Sequence, residues 1–354
     1  MPEARDILLT FDYELGLGKL SGTVNNCLIK PTEALRTVLL KHGCKAVFFV
    51  DTTYLMRLTE VASENAYAEQ DLRLIKEQIV QLCLDGHFIF HHIHPHWLDA
   101  IYIPEINQWD LSDQRRFALS SVEEETIDML LHKSSMILND WLKPTDPNYE
   151  PKGFRAGGLY IQPFENIKPS LIRNNISLDF SVLKGARGKG NVGNCEFDFS
   201  NHPEPDIYRF DDNVLKQHDC GEFIEISMRQ VELKNICKII NGLHYRIFGA
   251  HKGYQKYGDG LSTNNKLDSK LGTSRFRVSE TISIELLNPV RLFAYLKFVS
   301  RNRFTHFISH PKLFSELSIY YLDKFLYKVS RKYKLNTDLN SVLDKYVGDE
   351  SGYE

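Results

Sequence analysis

The chain has 354 residues, which is enough for one large elaborated domain or for two ordinary ones. Its formal net charge is only -3, from 43 Lys and Arg against 46 Asp and Glu, so nothing favours a nucleic acid as an obligatory partner. The six cysteines are scattered without a C-x-x-C pair, which indicates reduced thiols rather than a disulfide framework.

Short apolar runs alternate with helical patterns over the first half of the chain. Strands are predicted at residues 6–11, 45–50, 87–91 and from 153, and helices after Pro31, across Leu72 to Leu82 and over about 121–142. The first helix is expected to end near Gly43 and the second at Gly86. This β-α-β order favours a parallel sheet, either open or closed into a barrel.

The same alternation returns in the second half, where two polar stretches interrupt it. Helices are predicted near 167–174 and from the N-cap pair Asn288-Pro289, and strands from 177, at 222–227 and at 304–309. Residues 184–221 and 250–275 are rich in turn-forming residues and are predicted to be long loops. Because an amphipathic helix follows residue 311, we predict a barrel over 1–312 and a packed C-terminal helical extension over 313–354.

Nothing at the start of the chain resembles an export signal. The first 14 residues carry no basic segment followed by a long apolar run. No later stretch reaches about 18 uninterrupted apolar residues, the length that a transmembrane helix needs. We therefore expect a cytoplasmic protein without a transmembrane segment.

The segment "GHFIFHHIHPHW" (86–97) holds five of the thirteen histidines. A neutral imidazole is a common metal ligand, so this segment is a candidate metal site. His92 and His96 form H-x-x-x-H, and in a helical turn such residues face the same way. His91 is the alternative ligand, while His87 and His94 are assigned to packing or hydrogen bonding. An isolated pair of this kind also occurs in polar loops, so the pattern needs support from other strands.

Other titratable side chains fall at the ends of the predicted strands. The carboxyl ends of parallel strands converge on one rim of a barrel, where active sites are built. The residues that would meet there are Asp12, Glu14, Arg155, Asp179, Glu225 and His310. Three of them also have an ordinary structural explanation: Asp12 could cap a loop, Arg155 could pair with a carboxylate, and His310 could lie on the surface. Their shared position at the rim favours a metal site with catalytic groups around it.

The order of these motifs resembles the polysaccharide deacetylase family, the NodB-homology carbohydrate esterases. The matching segments are "LTFDYE" (9–14), "GHFIFHHIHPH" (86–96), "GFRAGGLY" (153–160), "LDFS" (178–181) and "FISHP" (307–311). They span most of residues 5–312. The resemblance implies a distorted (β/α) barrel of the polysaccharide deacetylase type that holds one divalent metal through a carboxylate and two histidines. It selects His92 and His96 as those histidines.

Two departures from the family pattern bear on the roles of individual residues. Most members read T-F-D-D-G, whereas this chain has Asp12-Tyr13-Glu14, which is similar to branches where the outer carboxylate binds the metal. The resemblance thus implies Glu14 as metal ligand and Asp12 as general base, although the two roles could be exchanged. "FRAGG" replaces the usual R-P-P-Y, a style similar to the WbmS-like branch.

The remaining roles also come from the resemblance. His310 would protonate the departing amine, Arg155 would orient Asp12, and Asp179 would orient His310. The expected activity is metal-dependent removal of N-acetyl groups from an acetamido sugar in bacterial surface polysaccharide (capsule or O-antigen) biosynthesis. Zinc suits two imidazoles and a carboxylate, and another divalent transition metal such as iron or cobalt would accept the same ligands.

Two other functions are compatible with the sequence. The first is a non-catalytic carbohydrate-binding protein on a deacetylase-like barrel, which the tyrosine at position 13 would favour. The second is a metal-dependent glycosidase on a related barrel, which would need a pair of carboxyl groups as nucleophile and acid. The expected partner is an N-acetylated carbohydrate, and the sequence assigns no oligomeric state.

Overall fold

The computed structural model describes residues 3–189, 196–234, 239–240, 242–243, 246, 252–261 and 277–348. Its strands are β1 (Ala4–Tyr13), β2 (Val47–Asp51), β3 (Phe88–Ile93), β4 (Ile101–Ile103), β5 (Gln108–Asp110), β6 (Gly153–Ala156), β7 (Leu178–Asp179), β8 (Arg187–Lys189), β9 (Glu196–Asp198), β10 (Ile207–Phe210), β11 (Phe223–Ile226), β12 (Gln230–Lys234), β13 (Arg277–Thr281), β14 (Phe304–Ser309) and β15 (Lys334–Asn336).

Within these ranges, nine strands form one curled sheet. Eight of them follow the spatial order β10-β11-β7-β6-β3-β2-β1-β14, and β15 pairs with β1 near its start. Every pair in this order is parallel except β10 with β11. Helices connect most of the parallel strands, as a right-handed crossover requires. This architecture is a distorted (β/α) barrel, and it confirms the predicted fold class.

The helices lie outside the sheet. They are α1 (Lys30–His42), α2 (Thr52–Ala62), α3 (Ala66–Leu84), α4 (Glu124–Leu142), α5 (Lys168–Arg173), α6 (Pro289–Arg301), α7 (Glu316–Lys332) and α8 (Leu339–Val347). Gly43 ends α1 in the left-handed conformation (φ 61°), which glycine adopts without steric cost. The helix predicted over about 121–142 corresponds to α4, which begins slightly later, at Glu124, after a short 3₁₀ turn.

Side chains along β1 alternate between the outer core of the barrel and its interior, where the candidate site lies. Leu9 and Phe11 belong to the large core formed with the surrounding helices, whereas Leu8 belongs to the apolar cluster inside the barrel. Successive side chains in a strand point to opposite faces, so Thr10 and Asp12 follow Leu8 to the inside. One strand thereby supplies both the outer core and the polar interior.

An extended segment after β13 bridges the gap between β14 and the chain after β11. The Ile282 N–H donates to the Arg229 carbonyl at 3.4 Å, and the Ile282 carbonyl accepts from the Ile308 N–H at 3.2 Å. The Ile284 N–H donates to Ser309 Oγ at 2.8 Å. This segment therefore lies along the rim of the barrel, next to the carboxyl end of β14.

The two predicted loops have different outcomes. Residues 184–221 contain a hairpin of β8 and β9 and also β10, so the prediction of one long loop was wrong. Strands of three or four residues are too short to show an apolar pattern. Of residues 250–275, the structure describes 252–261, which lie against the first loop of the barrel; the rest falls outside the described residues.

The C-terminal residues pack on the barrel in the described part of the chain. Beyond α7, β15 pairs with the start of β1, and Asp6 in β1 accepts hydrogen bonds from Asn336 and Tyr346. The predicted boundary at residue 312 stays a prediction. No helix among the described residues combines the length and apolar character needed to cross a membrane.

Candidate metal centre

Three buried side chains converge at the carboxyl ends of β1 and β3. Glu14 Oε2 lies 2.8 Å from His94 Nε2 and 3.4 Å from His92 Nε2, and the two Nε2 atoms are 3.1 Å apart. All three residues are at most 3% exposed. Two ring nitrogens and a carboxylate oxygen that converge in this way are donors of the kind that bind a divalent metal ion.

The spacing of these atoms fits a tetrahedral metal site. Bonds of 2.0–2.1 Å in a tetrahedron place neighbouring ligand atoms about 3.3 Å apart. The observed separations of 2.8, 3.1 and 3.4 Å surround this value. His92 Nδ1–H donates to the Arg155 carbonyl at 2.8 Å, which leaves the lone pair on its Nε2. Glu14, His92 and His94 thus form a set of donors suitable for a divalent ion.

His96 does not lie in this group, although sequence spacing selects it. The H-x-x-x-H argument requires a helical turn from residue 92 to residue 96, but β3 continues to Ile93 and His94 is still extended (φ -119°, ψ 93°). In an extended chain, residues i and i+2 share a face, so His94 joins His92. His96 lies in the following 3₁₀ turn, where its ring stacks against Trp97 and Phe117. Its two ring nitrogens have no hydrogen-bond partner among the described residues.

His91, the alternative ligand, points away from the cluster. It alternates with His92 along β3, and its Nδ1 lies 2.6 Å from Ser134 Oγ in α4. Burial lowers the pKa of His91 to about 4, so the ring is neutral at physiological pH. Its role is to pack β3 against α4.

Asp12 lies beside the cluster and is held by Arg155. One carboxylate oxygen of Asp12 accepts a hydrogen bond from Arg155 Nη1, while Oδ2 lies 3.8 Å from His92 Nε2. Arg155 is completely buried, and its guanidinium sits 4.1 Å from the centre of the Phe49 ring. Burial alone would raise the pKa of Asp12, but the positive charge of Arg155 lowers it. Asp12 is therefore an ionised carboxylate with one free oxygen.

His310 follows β14 on the other side of Asp12. Its Nε2 is 3.5 Å from Asp12 Oδ2 and 3.6 Å from Glu14 Oε1, and its Nδ1 is 3.3 Å from Glu285 Oε1. Burial opposes protonation of this ring, but Glu285 and Asp12 outweigh it and raise the pKa of His310. The ring is thus held with Nε2 toward the centre and is suited to donate a proton.

Asp179 has no hydrogen bond or ion pair with His310 among those of the described residues, so the prediction that Asp179 orients His310 was wrong. Asp179 lies between Leu178 and Phe180, which belong to the apolar cluster inside the barrel, so alternation turns it to the opposite face. Ser181 donates to its carboxylate at 2.6 Å. Its neighbour across the strands is Glu225, whose pKa burial raises well above its ordinary value. These two acids form a buried structural pair, and Glu285 takes the place expected for Asp179.

Sequence reasoning missed three residues of this site. His94 was assigned to packing, and Glu285 and Lys312 were not considered. Lys312 Nζ donates to Glu14 Oε1 at 2.9 Å and to the Leu15 carbonyl at 2.5 Å. Lys312 follows His310 closely in the "SHPK" motif, so its place at the rim could have been found. Glu285 reaches the site only through the bridging segment, for which the sequence gives no strand pattern.

Comparison with known proteins finds solved structures of low sequence identity and low TM-score. No protein-family model and no curated protein matches the chain. Among solved structures, it is similar to a proposed polysaccharide deacetylase from Mycobacterium smegmatis, with 14% identity, coverage of 98% of this chain and 94% of that one, and a TM-score of 0.46. It is also similar to the catalytic domain of a peptidoglycan N-acetylglucosamine deacetylase from Eubacterium rectale, with 13% identity, 96% and 91% coverage, and a TM-score of 0.32.

A third solved structure has a different activity. The 4-alpha-glucanotransferase of Thermococcus litoralis is 9% identical, with coverage of 97% of this chain and 41% of the enzyme, and its TM-score is 0.46. Because these identities and scores are low, the chemistry of this chain has to be derived from its own site.

Proposed function

We propose that this protein is a metal-dependent hydrolase that removes N-acetyl groups from an acetamido sugar. The observation that carries the proposal is the convergence of Glu14, His92 and His94, with Asp12 and His310 beside them. A metal centre flanked by a carboxylate and a protonated imidazole is an arrangement suited to amide hydrolysis, since it combines an activated water with a general base and a general acid. The solved structures named above include deacetylases, in agreement with this assignment.

Glu14, His92 and His94 would hold the metal, and the fourth position would stay open for water or substrate. A divalent ion bound there would polarise the amide carbonyl and lower the pKa of bound water toward about 7. Zinc is the metal that we propose for two imidazoles and one carboxylate, and other divalent transition metals would fit the same donors.

The side chains around the metal would carry the proton transfers. Asp12 accepts the proton of the attacking water through its free Oδ2, and the bond from Arg155 keeps the other oxygen occupied. His310 donates a proton through Nε2 to the departing amine, while Glu285 holds its Nδ1. Because Asp12 has a lowered pKa and His310 a raised one, the base is ionised and the acid is charged near neutral pH.

The glycosidase alternative is less favourable on the same evidence. A glycosidase of the usual kind needs one carboxyl group with a raised pKa as general acid. Burial would raise both pKa values, but Arg155 lowers that of Asp12, and Lys312 lowers that of Glu14 well below its ordinary value. Neither of these carboxyl groups is therefore available as an acid near neutral pH.

The non-catalytic alternative rested on the tyrosine at position 13. Tyr13 packs in the outer core, and its hydroxyl donates to Gln78 Oε1 at 2.9 Å. It faces away from the metal centre, so its presence removes no ligand. We retain as proposals the WbmS-like branch, a role in surface polysaccharide biosynthesis and a cytoplasmic location.

The test combines metal content with product release. The purified protein, reconstituted with zinc and dialysed, should hold one ion per chain by elemental analysis. It should then release acetate from acetamido sugars presented as free glycosides, nucleotide-linked sugars or lipid-linked sugars. Asp12→Asn should keep the ion and lose nearly all turnover, because an amide cannot accept the proton from water. A wild-type protein that binds no metal after reconstitution would sink the proposal.

A further inference from the structure

A cavity of about 330 Å³ opens beside the metal centre. Asp12, Glu14 and His310 form part of its lining. Much of the remaining wall is apolar and is formed by Leu17, Phe117, Leu159, Leu183, Met228 and Leu286. A cavity of about 150 Å³ with such a lining holds a benzene molecule, so this one has room for a six-membered ring with its substituents.

One side of the cavity is polar and comes from the bridging segment. Thr281, Ser283 and Glu285 line the cavity, whereas Ile282 and Ile284 between them are completely buried in the core. This strict alternation is that of an extended chain with one face on the core and one on a ligand site. Backbone hydrogen bonds to β14 and to the chain after β11 fix the segment in this register.

Two polar atoms of this face lack partners. Ser283 Oγ and Glu285 Oε2 are buried and have no hydrogen-bond partner among the described residues. Ser283 is only 3% exposed, and the Glu285 side chain is 10% exposed. A buried polar atom without a partner is unfavourable, so a ligand that supplies hydroxyl groups would relieve this cost. The other carboxylate oxygen of Glu285 is already engaged with His310.

We propose that Ser283 and Glu285 bind ring hydroxyls of the pyranose that carries the scissile amide. A pyranose has an edge of hydroxyl groups and faces of C–H groups, and the cavity offers both a polar strip and an apolar wall. An acyl chain would fill the apolar wall but would leave both orphan atoms unsatisfied. This assignment rests on the proposed function and names the part of the substrate that the cavity recognises.

Ser283→Ala is the informative variant. Glu285 also contacts His310, the proposed proton donor. The Ser283 hydroxyl has no hydrogen bond to any of the residues assigned to proton transfer. Binding is measured by titration calorimetry in metal-loaded Asp12→Asn protein, so that turnover does not interfere. The probes are the methyl glycosides of N-acetylglucosamine, N-acetylgalactosamine and N-acetylmannosamine, together with their monodeoxy analogues. Ser170→Ala, which changes a buried serine in α5 outside this cavity, is the matched control.

We expect Ser283→Ala to weaken binding of the preferred glycoside five- to hundredfold, with no effect from Ser170→Ala. One deoxy analogue should bind the Ser283→Ala variant as well as it binds the parent protein, because the lost hydroxyl is the partner of Ser283. Equal affinity of parent and variant for every probe would overturn the inference, and so would equal weakening for all analogues or absence of binding.

Acetate release by the wild type separates this inference from the proposed function. If acetate is released and Ser283→Ala behaves as the parent, only the subsite assignment fails. If Ser283 discriminates among the analogues but no acetate appears with metal bound, the hydroxyl subsite stands and the hydrolase proposal fails.

Discussion

The two carboxylate oxygens of Glu14 have different partners, and this arrangement leaves one oxygen directed at the proposed metal position. Oε1 accepts from Lys312, while Oε2 faces the two histidines. Burial opposes ionisation of Glu14, but Lys312 and His94 outweigh it and keep its pKa well below the ordinary value. Lys312 thus acts on the metal through its ligand, as outer hydrogen-bond partners of metal ligands commonly do.

Removing this partner should weaken metal binding without abolishing it. We expect Lys312→Met to raise the dissociation constant for zinc about 10–100-fold, because the Glu14 carboxylate loses the bond that orients it. Competition with a chelator of known affinity measures the constant. Lys256→Met is the control, since Lys256 lies near the same rim but donates to the Gly260 carbonyl instead. Unchanged zinc affinity in Lys312→Met would show that the contact has no bearing on the metal.

A second pair of variants decides between the two candidate histidines. His94→Ala should lose the ion, because it removes one of three converging donors, whereas His96→Ala should retain it. Elemental analysis after reconstitution gives the metal content, and circular dichroism verifies the fold of both variants. Metal loss in His96→Ala with retention in His94→Ala would restore the assignment from sequence spacing.

The sequence locates most of this site because strand ends are recognisable. The structure brings Asp12, Glu14, His92, Arg155 and His310 together at one rim. The choice between His94 and His96 depends on where β3 changes from extended to 3₁₀ backbone, a difference of one or two residues that periodicity does not resolve. The role of Glu285 could not be predicted from the sequence, because its position depends on hydrogen bonds between segments that are distant along the chain.

At the scale of elements, α6 fixes the segment that carries Ser283 and Glu285. Asn288 caps α6 by accepting hydrogen bonds from the backbone N–H groups of Val290 and Arg291 at 3.1 and 3.0 Å. The hydroxyl of Tyr295, in the same helix, accepts a hydrogen bond from the Ser283 N–H at 3.3 Å. The helix therefore supports the polar strip from behind.

Loss of this cap should destabilise the fold modestly. We expect Asn288→Ala to lower the free energy of unfolding by about 1 kcal/mol, because two backbone donors lose their acceptor. Asn288→Ser, which keeps a capping oxygen, should stay within a few tenths of the wild type. Urea denaturation at constant pH measures both. Equal destabilisation by the two substitutions would show that the side-chain cap is not the cause.

Elements with clear apolar patterns are also the ones that the sequence predicts well. The strand predicted at 304–309 coincides with β14, and the Asn288-Pro289 pair marks the start of α6. The hairpin of β8 and β9 was missed because each strand has three residues and only its central residue is buried. Such strands are defined by their partner rather than by their own periodicity.

At the scale of the whole molecule, several histidines are buried and have lowered pKa values, so they contribute to the pH dependence of stability. Burial lowers the pKa of His87 and of His91 to about 4 each. Burial and the charge of Arg155 lower the pKa of His306 to about 3. These rings are neutral when folded, but in the unfolded chain each would take up a proton near pH 6.5. The unfolded state therefore binds more protons than the folded state between about pH 4 and 6.5.

This difference predicts the sign of the pH dependence. The stability that comes from these neutral rings is fully present above pH 6.5 and is lost as the pH falls toward 4, by at most about 1.4 kcal/mol per pH unit for each group. His87 is a suitable probe because its Nδ1 accepts from the Ala46 N–H at 3.2 Å, a bond that protonation would break. His87→Gln keeps an acceptor but cannot be protonated, so its stability should fall less steeply with acid.

Urea unfolding of the metal-free protein at intervals between pH 4.5 and 7.5 measures the slope, with a chelator present so that metal affinity does not contribute. His218→Gln, which changes an exposed histidine, should reproduce the wild-type slope. The His87→Gln curve should be shallower: between pH 7.5 and 4.5 the free energy of unfolding should fall by less in this variant than in the wild type. Parallel curves for His87→Gln and wild type would mean that the ring of His87 can take up a proton without disturbing the barrel.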